Sequence, residues 1–101
     1  MVMDDDDVLK FCWDDTKATA NVDKHGVSFE MAAYVFDDPM RLEEADLFAE
    51  GEYRSIVVGR VGKMLLTVVY APLEDDIYRI ISARPATPYE YPRYAQNLFH
   101  S

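Results

Sequence analysis

The chain has 101 residues, half of them hydrophobic and 13% aromatic, enough for one domain with a modest core and too apolar for a disordered chain. Its formal net charge of −9 argues against a general nucleic-acid binder, because phosphate contacts need Lys and Arg. The single cysteine, Cys12, excludes an internal disulfide and a cysteine cluster for metal, and no apolar run approaches the ~20 residues of a membrane helix.

A reducing, cytoplasmic setting fits these features, and Met1-Val2-Met3 followed by four aspartates is unlike a secretory signal. The charge is uneven along the chain. Residues 1–50 hold 14 acidic and 4 basic side chains, a balance of −10, whereas residues 51–101 hold 5 and 6, a balance of +1. Part of the acidity is the run Asp4 to Asp7, so residues 1–7 are expected to form a disordered, solvated tail ahead of a single domain, 8–101. An acidic face of this kind can receive a basic partner protein.

From Val8 to Trp13 the residues alternate as in a first strand. Asp14 or Asp15 can cap a helix from Thr16 to about Lys24, with Lys17, Asn21 and Lys24 on one face. Lys24-His25-Gly26 closes it: cations suit the negative end of a helix, and glycine suits the left-handed position beyond. That is a sufficient structural reason for Lys24 and His25, and it leaves open whether either meets a ligand. Ser28 caps a second helix, whose stripe Phe29, Ala32, Ala33 and Phe36 faces the core, and Asp37-Asp38-Pro39 ends it.

Met40 to Glu52 reads as a short edge strand and an exposed loop with Gly51. Three strands follow, Tyr53–Val61, Met64–Ala71 and Ile77–Ala83, joined by two short turns into an antiparallel meander. Met64 to Tyr70 is apolar on both faces and should be the central strand. Arg54, Ile56, Val58 and Arg60 share one face of the first strand. Arg84 stands at the end of the last strand, and Thr87 and Glu90 have the spacing of a capping box with Pro88 at the first helical position, so a helix should start there. A cation facing the start of a helix is a place to hold an anion such as phosphate. The alternative is an arginine that pairs with a carboxylate and closes the sheet edge. Pro92 is expected to break the final segment into two short turns, the second through Tyr94 and Leu98.

The ordered motifs resemble those of the BrnT-type toxins. Trp13-Asp14, Lys17, Asn21, Lys24-His25-Gly26-Val27-Ser28-Phe29, Ala32 and Phe36-Asp37-Asp38-Pro39 look like the first half of that family. Gly51-Glu52, Arg54, Gly59, Ile80-Ile81-Ser82-Ala83-Arg84, Ala86-Thr87, Glu90 and Tyr94 look like the second. The resemblance spans roughly residues 9–95, and its two signatures, KHGVSF and IISARPAT, are specific as an ordered pair. It implies an α+β, RelE-like toxin fold: an antiparallel β-sheet, two N-terminal helices packed on it and a short C-terminal helix. It also implies a cytoplasmic bacterial toxin of a type II toxin–antitoxin pair, an endoribonuclease that needs no metal or cofactor and inhibits translation. The partners implied are the RNA substrate and a ribbon-helix-helix antitoxin (BrnA-like), with a dimer in the complex and no membrane.

Such cleavage needs a base for the 2′-hydroxyl, cations for the charge that builds on the phosphate, and an acid for the leaving 5′-oxygen. Arg84 is the first choice for the phosphate, with Arg60 or Arg54 as a second cation and Lys24 as a third, His25 or Glu90 as base and Tyr94 or His25 as acid. Arg54, Arg60, Arg79 and Arg93 are expected on the RNA. The last segment departs from the family pattern, with Tyr89, Tyr91 and Pro92 where many relatives carry arginines. The alternative reading is a non-catalytic, toxin-like protein that binds a ribbon-helix-helix antitoxin.

Overall fold

Runs of β-branched and aromatic residues fold back on themselves twice between Glu52 and Pro85 and build the centre of the molecule. The computed structural model describes residues 9–44, 47–49, 51–74 and 76–100, with backbone alone at 47–49 and 98–100. The acidic run and Val8 lie outside the described residues. In chain order the elements are β1 (Lys10–Cys12), α1 (Asp15–His25), α2 (Phe29–Ala33) continued by a 3₁₀ turn (Tyr34–Asp37), and β2 (Leu42–Glu43). Then come β3 (Leu47–Ala49), β4 (Glu52–Val61), β5 (Met64–Pro72), β6 (Ile77–Pro85) and α3 (Glu90–His100).

The sheet runs β1-β6-β5-β4-β2, with β3 also paired to β4. The apolar strand β5 is central, as its pattern predicts. Two expectations are corrected. The sheet is mixed rather than wholly antiparallel, because β1 joins β6 in parallel; β1 is remote from the hairpins, so no turn fixes its direction. Between Met40 and Glu52, two short strands lie along β4 where one was expected.

Register assigns the side chains of the long strands to two faces. Val57, Val68 and Ala83 stand opposite one another on the first, as do Val58, Thr67 and Arg84 on the second. Helices α1 and α2 serve the first face. Asp14 caps α1 by accepting the Lys17 N–H at 2.9 Å, and Gly26 ends it at φ 71°. Ser28 caps α2 by accepting the Met31 N–H at 3.0 Å. Phe29, Ala32, Val35 and Phe36 pack with Val57, Leu66, Val68 and Ile80 in the main core. Burial of a side chain such as Phe29 stabilises by roughly 1.5–3 kcal/mol. The 3₁₀ turn comes so close to β4 that a Cβ at Gly59 would stand 3.0 Å from the Val35 carbonyl oxygen, so only glycine fits there without displacement.

Past the short β1, no described strand lies beside the outer edge of β6, and Asn21 of α1 takes that place. Its Nδ2 donates to the Ala83 and Val27 carbonyls, both at 2.8 Å, and its Oδ1 accepts the Ala83 N–H at 3.1 Å. A buried amide thus satisfies backbone groups that would otherwise lack partners.

Helix α3 covers part of the second face, where Tyr94 packs with Val58 and Ala86. The carboxylate half of the expected capping box is present: Glu90 accepts the Thr87 N–H at 2.7 Å. The expected start at Pro88 and the expected break at Pro92 are not: the helix begins at Glu90. Helix α3 runs unbroken through Pro92 for 11 residues, because that proline is its third residue, in the first turn, where a missing N–H costs little. No helix among the described residues is long and apolar enough to cross a membrane.

Candidate functional site

The second face concentrates the arginines of the long strands. Arg54 and Arg60 lie on it by simple alternation along β4. In β6, Arg79 and Arg84 are five residues apart, a spacing that would place them on opposite faces of a regular strand. Val69 pairs with Ser82 and Tyr70 with Ile80, so Ile81 is an extra residue that forms a bulge. That bulge turns Arg79 to the same face as Arg84. All four arginines therefore share one face of an acidic protein.

At one end of this face Arg54 and Arg79 both reach Glu52, at 3.3 and 2.5 Å. Hydrogen bonding to Arg79 is the main reason why the Glu52 carboxyl is held below its usual range. At the other end, β4, β6 and α3 meet. There Arg84 donates its planar fork to Glu90, Nη1 to Oε1 at 2.8 Å and Nη2 to Oε2 at 3.1 Å. Burial works to raise the Glu90 pKa, but hydrogen bonds from Arg84 and the Thr87 N–H outweigh it and bring it to about 2.

One turn along α3, the Tyr94 hydroxyl donates to Asp38 Oδ2 at 2.6 Å. The same oxygen accepts the Arg60 backbone N–H at 2.8 Å, while Oδ1 accepts the Met40 N–H at 2.9 Å. Asp38 thus ties the end of the 3₁₀ turn to β4 and α3. Burial would raise its pKa, yet these hydrogen bonds hold it below the usual carboxylate range. Tyr94 is pushed up to about 12, first by burial and then by the Asp38 carboxylate. The exposed Arg60 side chain makes no ion pair with any described residue. With Lys63, Tyr91 and Tyr94 it lines a groove of about 450 Å³ that ends on Pro85, next to Arg84. A guanidinium that makes no ion pair among the described residues, though Asp38 lies within its electrostatic reach, can hold a phosphate, and the tyrosines beside it can stack a base.

Of the residues singled out in the sequence, Arg60, Arg84, Glu90 and Tyr94 come together here. Arg54 and Arg79 lie at the far end of the same face. Arg93 projects from α3 to pair with Glu44 at 2.6 Å. Lys24 and His25 end α1, beyond Asn21 at the outer edge of β6, and neither side chain makes a hydrogen bond or ion pair with a described residue. Sequence reasoning missed Asp38 and Lys63. Asp38 was legible as a turn residue, since its bond to the Met40 N–H is the local one aspartate favours, but its reach to Arg60 and Tyr94 is purely tertiary. Among the described residues, no cluster of three or more His, Cys, Asp or Glu side chains is placed to hold a metal ion.

The fold is similar to that of the Brucella abortus ribonuclease toxin BrnT, known from its crystal structure. The TM-score is 0.59 at 22% identity, over 79% of this chain and 99% of that one. None of the curated proteins compared matches the chain. The family described as the ribonuclease toxin, BrnT, of type II toxin–antitoxin systems matches residues 13–90, from Trp13 at the end of the first strand to the glutamate that holds Arg84. The chain belongs to the BrnT family of ribonuclease toxins of type II toxin–antitoxin systems.

Proposed function

We propose that this chain is a RelE-like endoribonuclease toxin of the bacterial cytoplasm, which cuts RNA, inhibits translation and is neutralised by a ribbon-helix-helix antitoxin. The observation that carries the reading is the gathering of Arg54, Arg60, Arg79 and Arg84 on one sheet face, beside the Asp38–Tyr94 pair. An acidic protein gains nothing in solubility from such a patch, whereas RNA requires one.

In this mechanism the RNA backbone runs along the second face, with the scissile phosphate at Arg60 and Arg84. The 2′-hydroxyl gives its proton to solvent water as its oxygen bonds to phosphorus, the bond from phosphorus to the 5′-oxygen breaks, and that oxygen takes a proton from Tyr94, which solvent then reprotonates. Arg60 and Arg84 neutralise the charge that builds on the phosphate. Tyr94, which keeps its proton far above neutrality, supplies a proton to the leaving oxygen. Glu90, at about 2, is too weak a base near neutrality and instead orients Arg84. Arg54, Arg79 and Arg93 hold flanking phosphates. Lys24 and His25 lie outside this group and take no step in it.

The test is induced expression in a bacterium of the wild type beside Arg84→Ala, following growth and total RNA. Arrest with RNA loss in the wild type alone supports the reading. Arrest by both keeps the toxin and removes Arg84 from the chemistry. Soluble protein without arrest in either favours the non-catalytic alternative.

A further inference from the structure

Away from α3, a groove of about 680 Å³ runs between β1 and the 3₁₀ turn. Its floor is apolar, with Leu9, Phe11, Trp13 and Phe36, and the largely exposed Tyr34 forms one wall. Among the described residues its charged lining is Glu30 and Asp37, with no Lys or Arg. A second depression shares Trp13 and Glu30 with it and continues over α1 past Ala18 and the half-exposed Val22 to another acid, Asp15. Among the described strands, β1 has a neighbour on one side only, β6, so its other edge offers backbone groups to an incoming chain.

We propose that this groove seats a segment of a partner protein that carries apolar side chains flanked by Lys or Arg. The floor calls for apolar side chains, and a rim of carboxylates alone attracts cations and repels nucleic acid. The chain's own start is a poor occupant, because its Asp4–Asp7 run has the sign of the rim. The acidic balance of the N-terminal half thus has a use that RNA chemistry leaves unexplained. The partner surface and the arginine face are separate, so the proposal stands whether or not the second face cleaves RNA.

Trp13 is the chain's one tryptophan and lines the groove, so its emission is a local reporter. The full chain is titrated with a short synthetic peptide of Leu and Arg and with its Leu–Glu counterpart. The Leu–Arg peptide shifts Trp13 emission to the blue and saturates; the Leu–Glu peptide does neither. The exposed pair Glu30→Gln/Asp37→Asn weakens binding roughly tenfold, whereas the charge-matched pair Asp23→Asn/Glu74→Gln changes it less than about twofold. Tyr34→Ser, which keeps every charge, also weakens it. All variants are checked by far-ultraviolet circular dichroism. Equal losses in the two charge-matched pairs, equal binding of the Leu–Glu peptide, or saturation without a change at Trp13 would each overturn the proposal.

Discussion

The face of the sheet under α1 and α2 and the face under α3 are built by the same three strands from alternate residues, yet they carry opposite chemistry. The first face buries Val57, Leu66, Val68 and Ile80 against Phe29 and Val35, with no charged side chain among the described residues of that core. The second has a small apolar patch at Val58, Ala86 and Tyr94, surrounded by arginines tied to Glu52 and Glu90 or left open at Arg60. A short chain can thus separate its chemistry by strand parity alone, with the apolar core on one side and the arginines on the other, where the proposed function places RNA. Substitutions on the first face should cost folding, and those at open positions of the second should cost function.

The largest effect is expected at the first face. Phe29→Ala removes a fully buried ring and should lower the unfolding free energy by about 3–5 kcal/mol, read by urea denaturation. Next is the seam between α1 and β6. Asn21→Ala leaves the Ala83 N–H and carbonyl without their buried partner and should cost about 1–3 kcal/mol; a loss no larger than at an exposed site would contradict Asn21's role as an edge strand's substitute.

On the second face, the Glu90–Arg84 pair contributes through pH. Glu90 lies at about 2 in the folded protein against an ordinary 4.5, so folding favours its ionised form. That contribution is complete above about pH 4.5 and is lost as the pH falls toward 2. Thermal melts across this window should show the decline, and Glu90→Gln should flatten it. The smallest effect is expected at the Arg93–Glu44 pair, whose arginine is largely exposed. Arg93→Ala should cost under about 1 kcal/mol, and less at high salt.

Much of this division was legible in the sequence. An aspartate cap at Asp14 or Asp15, the cap at Ser28, the glycine end of α1, the central place of β5 and the shared face of Arg54 and Arg60 follow from residue type and period; only the structure chooses Asp14. The meeting of Arg79 with Arg84 was not legible, because a one-residue bulge at Ile81 reverses parity and no local signal at Ile80-Ile81-Ser82 announces it. The parallel direction of β1 and the reach of Asp38 to Tyr94 depend on segments far apart in the chain. Pro92 was legible as a helix breaker, but its effect depends on where the helix starts, and within the first turn it breaks nothing.

The measurement that bears most directly on the account is RNA cleavage by purified Arg60→Ala beside the wild type, in the presence of a chelator, with unfolding followed on the same samples. Arg60 is exposed and pairs with no described carboxylate, so its loss should leave stability within about 0.5 kcal/mol while cleavage falls at least roughly tenfold. Unchanged cleavage by an equally stable Arg60→Ala would contradict the claim that the open end of the arginine face is where RNA is cut.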